Sequence, residues 1–157
     1  MSYERIRING AGTGFLCGDK PFFYFADTAW SAFTNLERAG WIDYLDRRAA
    51  QGFNFLHINL LPQWDRSRGG AGPEPFLKDG SGGPAWDKPN PEYFDAAERF
   101  TADAAERGLR SALVLLWCDY VPGTWAAKRN GGPTLPLEAV EGYVAAAARR
   151  FLPYAPI

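Results

Sequence analysis

Three short apolar stretches of the chain each lead directly into a cluster of polar and aromatic residues. The stretches cover residues 22–26, 53–61 and 109–116, and the clusters cover 27–30, 62–65 and 117–120. Strands that are buried on both faces read as continuous apolar runs, and such strands are typical of parallel sheets. In parallel sheets the functional groups collect just beyond the carboxyl ends of the strands. The pattern therefore predicts three parallel strands that share one functional edge.

Three amphipathic helical patterns alternate with these strands. The first covers 37–51 and ends before Gly52, a residue type that often terminates helices. The second begins at Asn90 and Pro91, a capping residue followed by a proline at the first helical position. The third begins near Pro136. The alternation predicts βαβ units, and it leaves two candidates: an open parallel α/β sheet or part of a (β/α)8 barrel.

The remaining segments predict an amino-terminal β cap and two long connections. Residues 3–9 alternate in polarity, and 15–16 precede a tight turn at 18–21, as expected for a small antiparallel sheet. The connections cover 62–90 and 117–135. A connection as long as the first, rich in glycine and proline, predicts a functional or disordered loop without regular structure.

The open-sheet alternative lacks the phosphate-binding turn that usually accompanies it. The glycine-rich segment 10–14 precedes the first apolar run and opens no helix, so it does not fit a dinucleotide-binding turn. We therefore predict a single domain over 1–157 with an α/β fold. Part of a (β/α)8 barrel with an amino-terminal β cap is favoured, and an open parallel α/β sheet is the alternative.

Composition and charge narrow the function classes. With 157 residues, 46% hydrophobic and 22% charged, the chain is expected to form one domain with a substantial core. Its net charge of −1 predicts neither a nucleic acid nor a membrane partner. The sequence shows no signal-peptide pattern and no apolar run of bilayer length, which predicts a cytoplasmic location. Cys17 and Cys118 are too few for a disulfide framework.

Strand parity separates the residues of the second apolar run. Leu56, Ile58 and Leu60 share one face, which should meet the helices, and His57 and Asn59 share the other face. That second face would point into a barrel interior. A histidine in a strand is often satisfied by a structural neighbour, so for His57 a structural role and a ligand contact both remain open.

Three aspartates lie where the apolar runs end. Asp27, Asp65 and Asp119 occupy positions at which barrel enzymes place catalytic and binding groups, although turn and capping acids also occur there. The sequence contains no His-x-His or Glu-x-x-His pattern. A metal-dependent hydrolase is therefore a minor alternative, and we predict neither a metal nor a cofactor.

Aromatic residues make up 15% of the chain and include six tryptophans. Aromatic side chains serve cores first, but only Trp41 falls within a helical pattern. The other five follow the apolar runs: Trp30, Trp64, Trp86, Trp117 and Trp125. Indole rings next to carboxylates and amides suit sugars, which offer an apolar face and hydroxyl groups. The pattern predicts a carbohydrate ligand.

The same segments resemble a known family. FFYFADTAW at 22–30 and YLDRRAAQGFN at 44–54 resemble the amino-terminal half of the apiosidase-like glycoside hydrolases, formerly a domain of unknown function. LLPQWD at 60–65 and LLWCDYVPGTW at 115–125 look like a bacterial branch of that family. The resemblance spans 9–157. It implies a (β/α)8 barrel that hydrolyses glycosidic bonds in plant-type polysaccharides, with an acidic pair on the fourth or later strands.

A complete barrel typically needs about 250 residues, and residues 154–157 look like the entry to a fourth strand. The 157 residues fit a partial TIM (β/α)8 barrel, about the first three βα units with the β cap. We therefore expect the chain to lack the catalytic pair and its open sheet edges to favour self-association. The catalytic residues are unknown. An alternative is a non-catalytic carbohydrate-binding or dimerising half-barrel. The candidate substrate-binding residues are Asp27, Trp30, His57, Asn59, Gln63, Trp64, Asp65, Trp117, Asp119 and Trp125.

Overall fold

A computed structural model describes residues 4–63 and 72–157. The strands, in chain order, are β1 (Ile6–Ile8), β2 (Phe15–Cys17), β3 (Lys20–Phe22), β4 (Ala26–Thr28), β5 (Phe55–Asn59), β6 (Phe76–Lys78), β7 (Pro84–Pro89) and β8 (Arg110–Val114). The helices are α1 (Ala32–Asn35), α2 (Arg38–Ala50), α3 (Pro91–Glu106), α4 (Trp125–Asn130) and α5 (Leu137–Phe151). Short 3₁₀ turns cover Cys118–Tyr120 and Leu152–Tyr154.

The central sheet is parallel and has the strand order β4, β5, β8. The Ile157 N–H donates to the Ser111 carbonyl (3.0 Å), and the Ile157 carbonyl accepts from the Leu113 N–H (2.9 Å). These two bonds have the slanted pattern of a parallel ladder, so Ile157 continues the sheet beyond β8. The predicted order of parallel strands and crossover helices is confirmed.

The antiparallel sheet β1–β2–β3 covers the amino-terminal end of the parallel strands, as the predicted cap requires. Phe22 meets Phe55, the first residue of β5, edge-on at 6.0 Å between ring centroids, and Tyr24 stacks on the same ring at 4.6 Å. Arg110, which opens β8, donates to the Glu4 carbonyl (2.8 Å). The cap is therefore held by both ring packing and a hydrogen bond.

The apolar run 22–26 is not one buried strand, contrary to the prediction. Phe22 ends β3, the parallel strand begins at Ala26, and Phe23 between them is 80% exposed. The Asn54 side chain explains the break. Its Oδ1 accepts from the Phe25 N–H (2.9 Å) and its Nδ2 donates to the Phe23 carbonyl (2.7 Å). A side-chain amide thus takes the place of a strand ladder over these residues.

The helix-facing side of the sheet forms the core. Leu56 and Ile58 are fully buried in the main core cluster, whereas Phe55 is equally buried but lies outside that cluster, which confirms the predicted parity of β5. Trp41 of α2 is also fully buried and stacks between Tyr44 (5.5 Å) and Phe100 (5.4 Å). Its indole N–H donates to the Phe100 carbonyl (3.0 Å). One tryptophan therefore joins α2 to α3.

The connection 62–90 contains a β-hairpin, so the prediction that it has no regular structure is wrong for its second half. β6 and β7 pair antiparallel, and the turn between them is closed by Asp79 Oδ1, which accepts from the N–H groups of Ser81 (2.8 Å) and Gly83 (3.0 Å). Pro84 and Pro89 bound β7 and obscured the pattern, because proline is normally confined to strand edges.

The predicted starts of the helices are confirmed. The Asn90 side chain accepts from the Glu92 N–H (3.1 Å) and caps α3, with Pro91 at the first position. Helix α5 begins directly after Pro136. The connection 117–135 contains the short helix α4, which the sequence pattern did not indicate. Among the residues described, no helix is long and apolar enough to cross a bilayer.

Candidate functional site at the carboxyl ends of the strands

Aromatic and amide side chains meet where the three parallel strands end. Trp30 follows β4, Asn59 ends β5 and Trp117 follows β8. The two indole rings lie edge to face at 4.6 Å, and the Asn59 N–H donates to the Trp30 carbonyl (3.0 Å). Gln63 lies in the connection just beyond β5. We call Trp30, Asn59, Gln63 and Trp117 the strand-end cluster.

The Asn59 side chain is buried without hydrogen-bond partners. The residue is only 2% exposed, and neither its Nδ2 nor its Oδ1 has a partner among the residues that the structure describes. Leaving a buried polar group unsatisfied costs about 1–3 kcal/mol. A ligand hydroxyl can accept from Nδ2 and donate to Oδ1, so this amide has the chemistry of a sugar contact.

Gln63 is held by the loops around it and keeps one free acceptor. It is 3% exposed, and its Nε2 donates to the Leu61 carbonyl (3.4 Å). Its Oε1 has no hydrogen-bond partner within 4–63 and 72–157. The Tyr120 hydroxyl donates to the neighbouring Pro62 carbonyl (2.9 Å), which ties the connection after β8 to the one after β5. Sequence reasoning missed Tyr120, although it ends the third polar and aromatic cluster.

Asp119 lies in the 3₁₀ turn Cys118–Tyr120, and its side chain is held by the end of α4. The Asn130 side-chain amide donates to Asp119 Oδ1, and Asp119 Oδ2 is buried without a partner among the described residues. Thr124 caps α4 by accepting from the Ala127 N–H (3.3 Å). Trp125, the first residue of α4, is 65% exposed and offers an open ring surface. This connection therefore presents one carboxylate oxygen and one exposed indole.

His57 lies deeper than the strand-end cluster. It shares the face of Asn59 but sits two residues closer to the cap, in register with Thr28 and Ala112. Its partly buried ring is 6.2 Å from the ring of Tyr24. His57 thus lies between the cap and the strand-end cluster, on the side of the sheet that faces away from the core.

Asp27 lies within β4 and faces α2. The strand continues through it, in register with Leu56, so Asp27 does not stand past the strand end as expected. Its carboxylate accepts from the Tyr44 hydroxyl (2.7 Å) and from Arg48. Burial alone would raise the pKa of Asp27, but the hydrogen bonds from Tyr44, the Thr28 N–H and Arg48 outweigh it and lower that pKa.

Tyr44 completes this clamp between β4 and α2. Burial and its hydrogen bond to the Asp27 carboxylate raise the pKa of Tyr44 to about 12. The Arg48 guanidinium lies over the Tyr44 ring at 5.0 Å from its centroid. The Asp27 carboxylate is therefore occupied by groups of the protein itself, on the face opposite Asn59.

Two predicted site residues, Trp64 and Asp65, lie outside the described residues. Within the described part of the chain, no three His, Cys, Asp or Glu side chains come together in a group that could hold a metal ion. The metal-dependent alternative therefore has no ligand set in that part of the chain.

The parallel β4–β5–β8 sheet with its crossover helices defines the class of fold, a partial (β/α)8 barrel. The profile described as "Apiosidase-like, catalytic domain" matches residues 15–157, and the chain belongs to that family. The family and the fold confirm the predicted resemblance and favour the barrel over the open sheet. No curated protein matches the chain.

Solved structures with a similar fold include glycoside hydrolases. One described as a glycoside hydrolase has a TM-score of 0.69 at 16% identity, covering 95% of this chain and 32% of that chain. A family 5 glycoside hydrolase from Bacteroides vulgatus gives 0.67 at 18% identity, covering 95% and 31%. The endo-1,4-beta-mannanase from Rhizomucor miehei gives 0.59 at 15%, covering 92% and 40%. The chain thus spans about a third of the length of the first two structures.

Proposed function

We propose that this chain is the sugar-binding, amino-terminal portion of a glycoside hydrolase barrel that acts on plant-type polysaccharide, and that it does not contain the catalytic acid pair. The observation that carries the proposal is the Asn59 amide, buried at the end of the central strand with neither polar atom paired within residues 4–63 and 72–157. Its position in an apiosidase-like domain supports a sugar hydroxyl as the missing partner.

Each candidate residue has a proposed role. Trp30 and Trp117 wall the sugar site, and Asn59, Gln63 and Asp119 supply its polar contacts. His57 contacts the deepest part of the ligand. Trp125 serves an outer zone of the site, since its ring is exposed. Trp64 and Asp65 lie outside the described residues and are proposed as sugar contacts from the sequence alone. Asp27 acts through α2 as a positioning residue, because its carboxylate is bound by Tyr44 and Arg48.

We expect no turnover because of where the carboxylates lie. Glycoside cleavage requires two carboxyl groups, about 5–5.5 Å apart in retaining enzymes and about 6.5–9.5 Å apart in inverting ones. Asp27 faces α2, so it does not pair across the sugar site with Asp119. We place the acid pair on the fourth or later strands, as the family resemblance implies.

Binding and hydrolysis measurements on the 157-residue chain test the proposal. With aryl glycosides and pectic fragments we expect no turnover, and with pectic and 1,4-β-manno-oligosaccharides we expect binding in titration calorimetry. Asn59→Ala should weaken binding about tenfold or more, because it removes two hydrogen bonds. Thr101→Val is the matched control, since Thr101 is equally buried but lies in α3. Turnover that Asp119→Asn abolishes would contradict the proposed absence of the acid pair.

A second candidate function is a half-barrel that associates with another copy of itself. Its support is the outer edge of β4, which has no neighbouring strand among the described residues. Exposed aromatic rings precede that edge, with Phe23 80% and Phe25 40% exposed. Unpaired edges are templates for pairing with another chain. Light scattering should then give a dimer mass, and a monomer at all concentrations would contradict association.

A further inference from the structure

We propose a second saccharide subsite in a groove between the β6–β7 hairpin and the connection after β8, so that the ligand is an oligosaccharide rather than a single sugar. This inference rests on the proposed function. The groove has a volume of about 420 Å³, within the roughly 300–1,000 Å³ of small-molecule sites. The residues that line it include Glu74, Phe76, Lys78, Trp86, Tyr120 and Pro133.

The wall of the groove is a tryptophan supported from behind. Trp86 lines the groove and is partly exposed, and its ring meets Phe76 edge-on at 4.9 Å. Phe76 is only 3% exposed and also contacts the Tyr143 ring of α5 at 5.8 Å. The indole is thus anchored before any ligand arrives. A preorganised aromatic surface binds a sugar face at low entropic cost.

The hairpin that carries Trp86 is fastened at both of its ends. At the turn, Asp79 Oδ1 accepts from the Ser81 hydroxyl (2.7 Å) as well as from the Gly83 N–H (3.0 Å). At the base, the Asn90 N–H donates to the Pro75 carbonyl and the Asn90 Nδ2 donates to the Glu74 carbonyl, both at 2.8 Å. The groove is therefore a built feature of the fold and not a loose loop.

Tyr120 connects this groove to the strand-end cluster. It lines the groove, and its hydroxyl donates to the carbonyl of Pro62, the residue before Gln63. Both sites therefore lie on the face formed by the connections that follow the parallel strands. A saccharide bound at Asn59 can extend across Tyr120 toward Trp86. Lys78 and Glu74 border the groove and offer a donor and an acceptor for hydroxyl groups.

Titration of the 157-residue chain with saccharides of two and four units tests the subsite. The probes are 1,4-β-mannobiose and mannotetraose, and galacturonan fragments of the same lengths. The tetrasaccharide should bind about tenfold tighter than the disaccharide because it gains one stacking contact. Trp86→Ala should remove this gain and leave disaccharide affinity unchanged. Leu77→Ala is the control: Leu77 is 44% exposed and alternates to the other side of β6 from Phe76 and Lys78.

The outcomes separate the inference from the proposed function. If the wild-type chain binds no probe of either length, the proposed function fails, and the subsite with it. If it binds both lengths and Trp86→Ala keeps the gain, the subsite is wrong while the function stands. Loss of disaccharide binding in a folded Trp86→Ala protein would also overturn a separate subsite. Should Trp86→Ala lose its near-UV circular dichroism, Trp86→Phe replaces it, and an unreduced gain in that variant contradicts the inference.

Discussion

Asn59 and Thr101 are both buried polar residues, and they differ in whether a hydrogen-bond partner is found among the described residues. Thr101 is 1% exposed and its hydroxyl donates to the Ala97 carbonyl (2.9 Å), so the fold itself satisfies it. Asn59 is equally buried but has no such partner in the described part of the chain. Native structures pair nearly all buried polar groups, so an unpaired one calls for an external partner. The contrast supports the proposed ligand-binding role of Asn59 over a role in the stability of the fold.

The first prediction follows from this contrast. Asn59→Ala should leave the free energy of unfolding unchanged or raise it by up to about 1 kcal/mol, because two unpaired atoms are removed. Thr101→Val should lower it by about 1 kcal/mol, since a made hydrogen bond is lost. Urea unfolding of both variants measures the difference. A loss of stability in Asn59→Ala as large as that in Thr101→Val would show that Asn59 supports the fold.

The second prediction concerns Asp27. Its pKa is lowered in the folded protein, so the ionised carboxylate stabilises the fold above the unfolded value of about 4. That contribution is lost as pH falls through the lowered pKa. Asp27→Asn should cost about 1–2 kcal/mol at pH 7, and the difference from wild type should shrink below about pH 4.

Asp43→Asn is the control for Asp27→Asn. Asp43 pairs with Arg47 on the exposed surface of α2, and both side chains are well exposed, so its loss should cost less than about 0.5 kcal/mol. Acid unfolding curves of the three proteins make the comparison. If Asp27→Asn instead abolishes sugar binding with no change in stability, Asp27 is a ligand contact and not a clamp.

At the scale of elements, helices α2 and α3 are fastened to each other through one side chain. Trp41 stacks on Phe100 and donates its indole hydrogen to the Phe100 carbonyl. The same helix α2 holds β4 through Arg48 and Asp27. Packing and hydrogen bonding thus both hold α2 in place. Through α2 they set the position of β4, the strand that precedes Trp30.

The third prediction tests this fastening. Trp41→Phe should lower the free energy of unfolding by about 2–3 kcal/mol, because it removes the buried hydrogen bond from the indole to the Phe100 carbonyl and leaves a gap in the core. Trp125→Phe is the matched control, since Trp125 is 65% exposed and its replacement should change stability by about 0.5 kcal/mol at most. Chemical unfolding measures both. Equal effects of the two changes would contradict the role given to Trp41.

At the scale of the whole molecule, the parallel sheet has two different ends and an open side. The cap packs on the amino-terminal end through Phe22 and Phe55, and the strand-end cluster occupies the other end. The outer edge of β4 has no neighbouring strand in the described structure. The polarity of the sheet therefore places the cap at one end and the proposed sugar site at the other, the arrangement that barrel enzymes have.

The fourth prediction concerns the outer edge of β4. If copies of the chain associate through the β4 edge, Phe23→Lys should reduce association, because a charge next to an edge strand opposes pairing. Leu137→Lys is the control, since Leu137 is similarly exposed (84% against 80%) but lies at the start of α5. Sedimentation velocity over a range of concentrations measures both. If the two variants behave alike, the β4 edge is not the interface.

The periodicity of the chain was sufficient to predict the parallel strands β5 and β8 and the start of α3 at Asn90. It also predicted that Leu56 and Ile58 share one face of the sheet. These features are local, because alternation, capping and apolar runs act over a few residues. The same pattern failed over 22–26, where the Asn54 side chain interrupts the strand from a distance in sequence. It also missed the β6–β7 hairpin, whose prolines hide its alternation.

The sequence by itself thus determined the class of fold, the family and the segments that carry the aromatic and amide residues. Only the tertiary structure decided which of them meet. Asp27 and Asn59 both lie on parallel strands, yet the register places Asp27 beside Leu56, toward α2, and Asn59 on the opposite face. The β6–β7 hairpin sets Trp86 against Phe76, which places its ring at the wall of the proposed subsite. Register and packing depend on contacts between distant segments, which a local pattern does not contain.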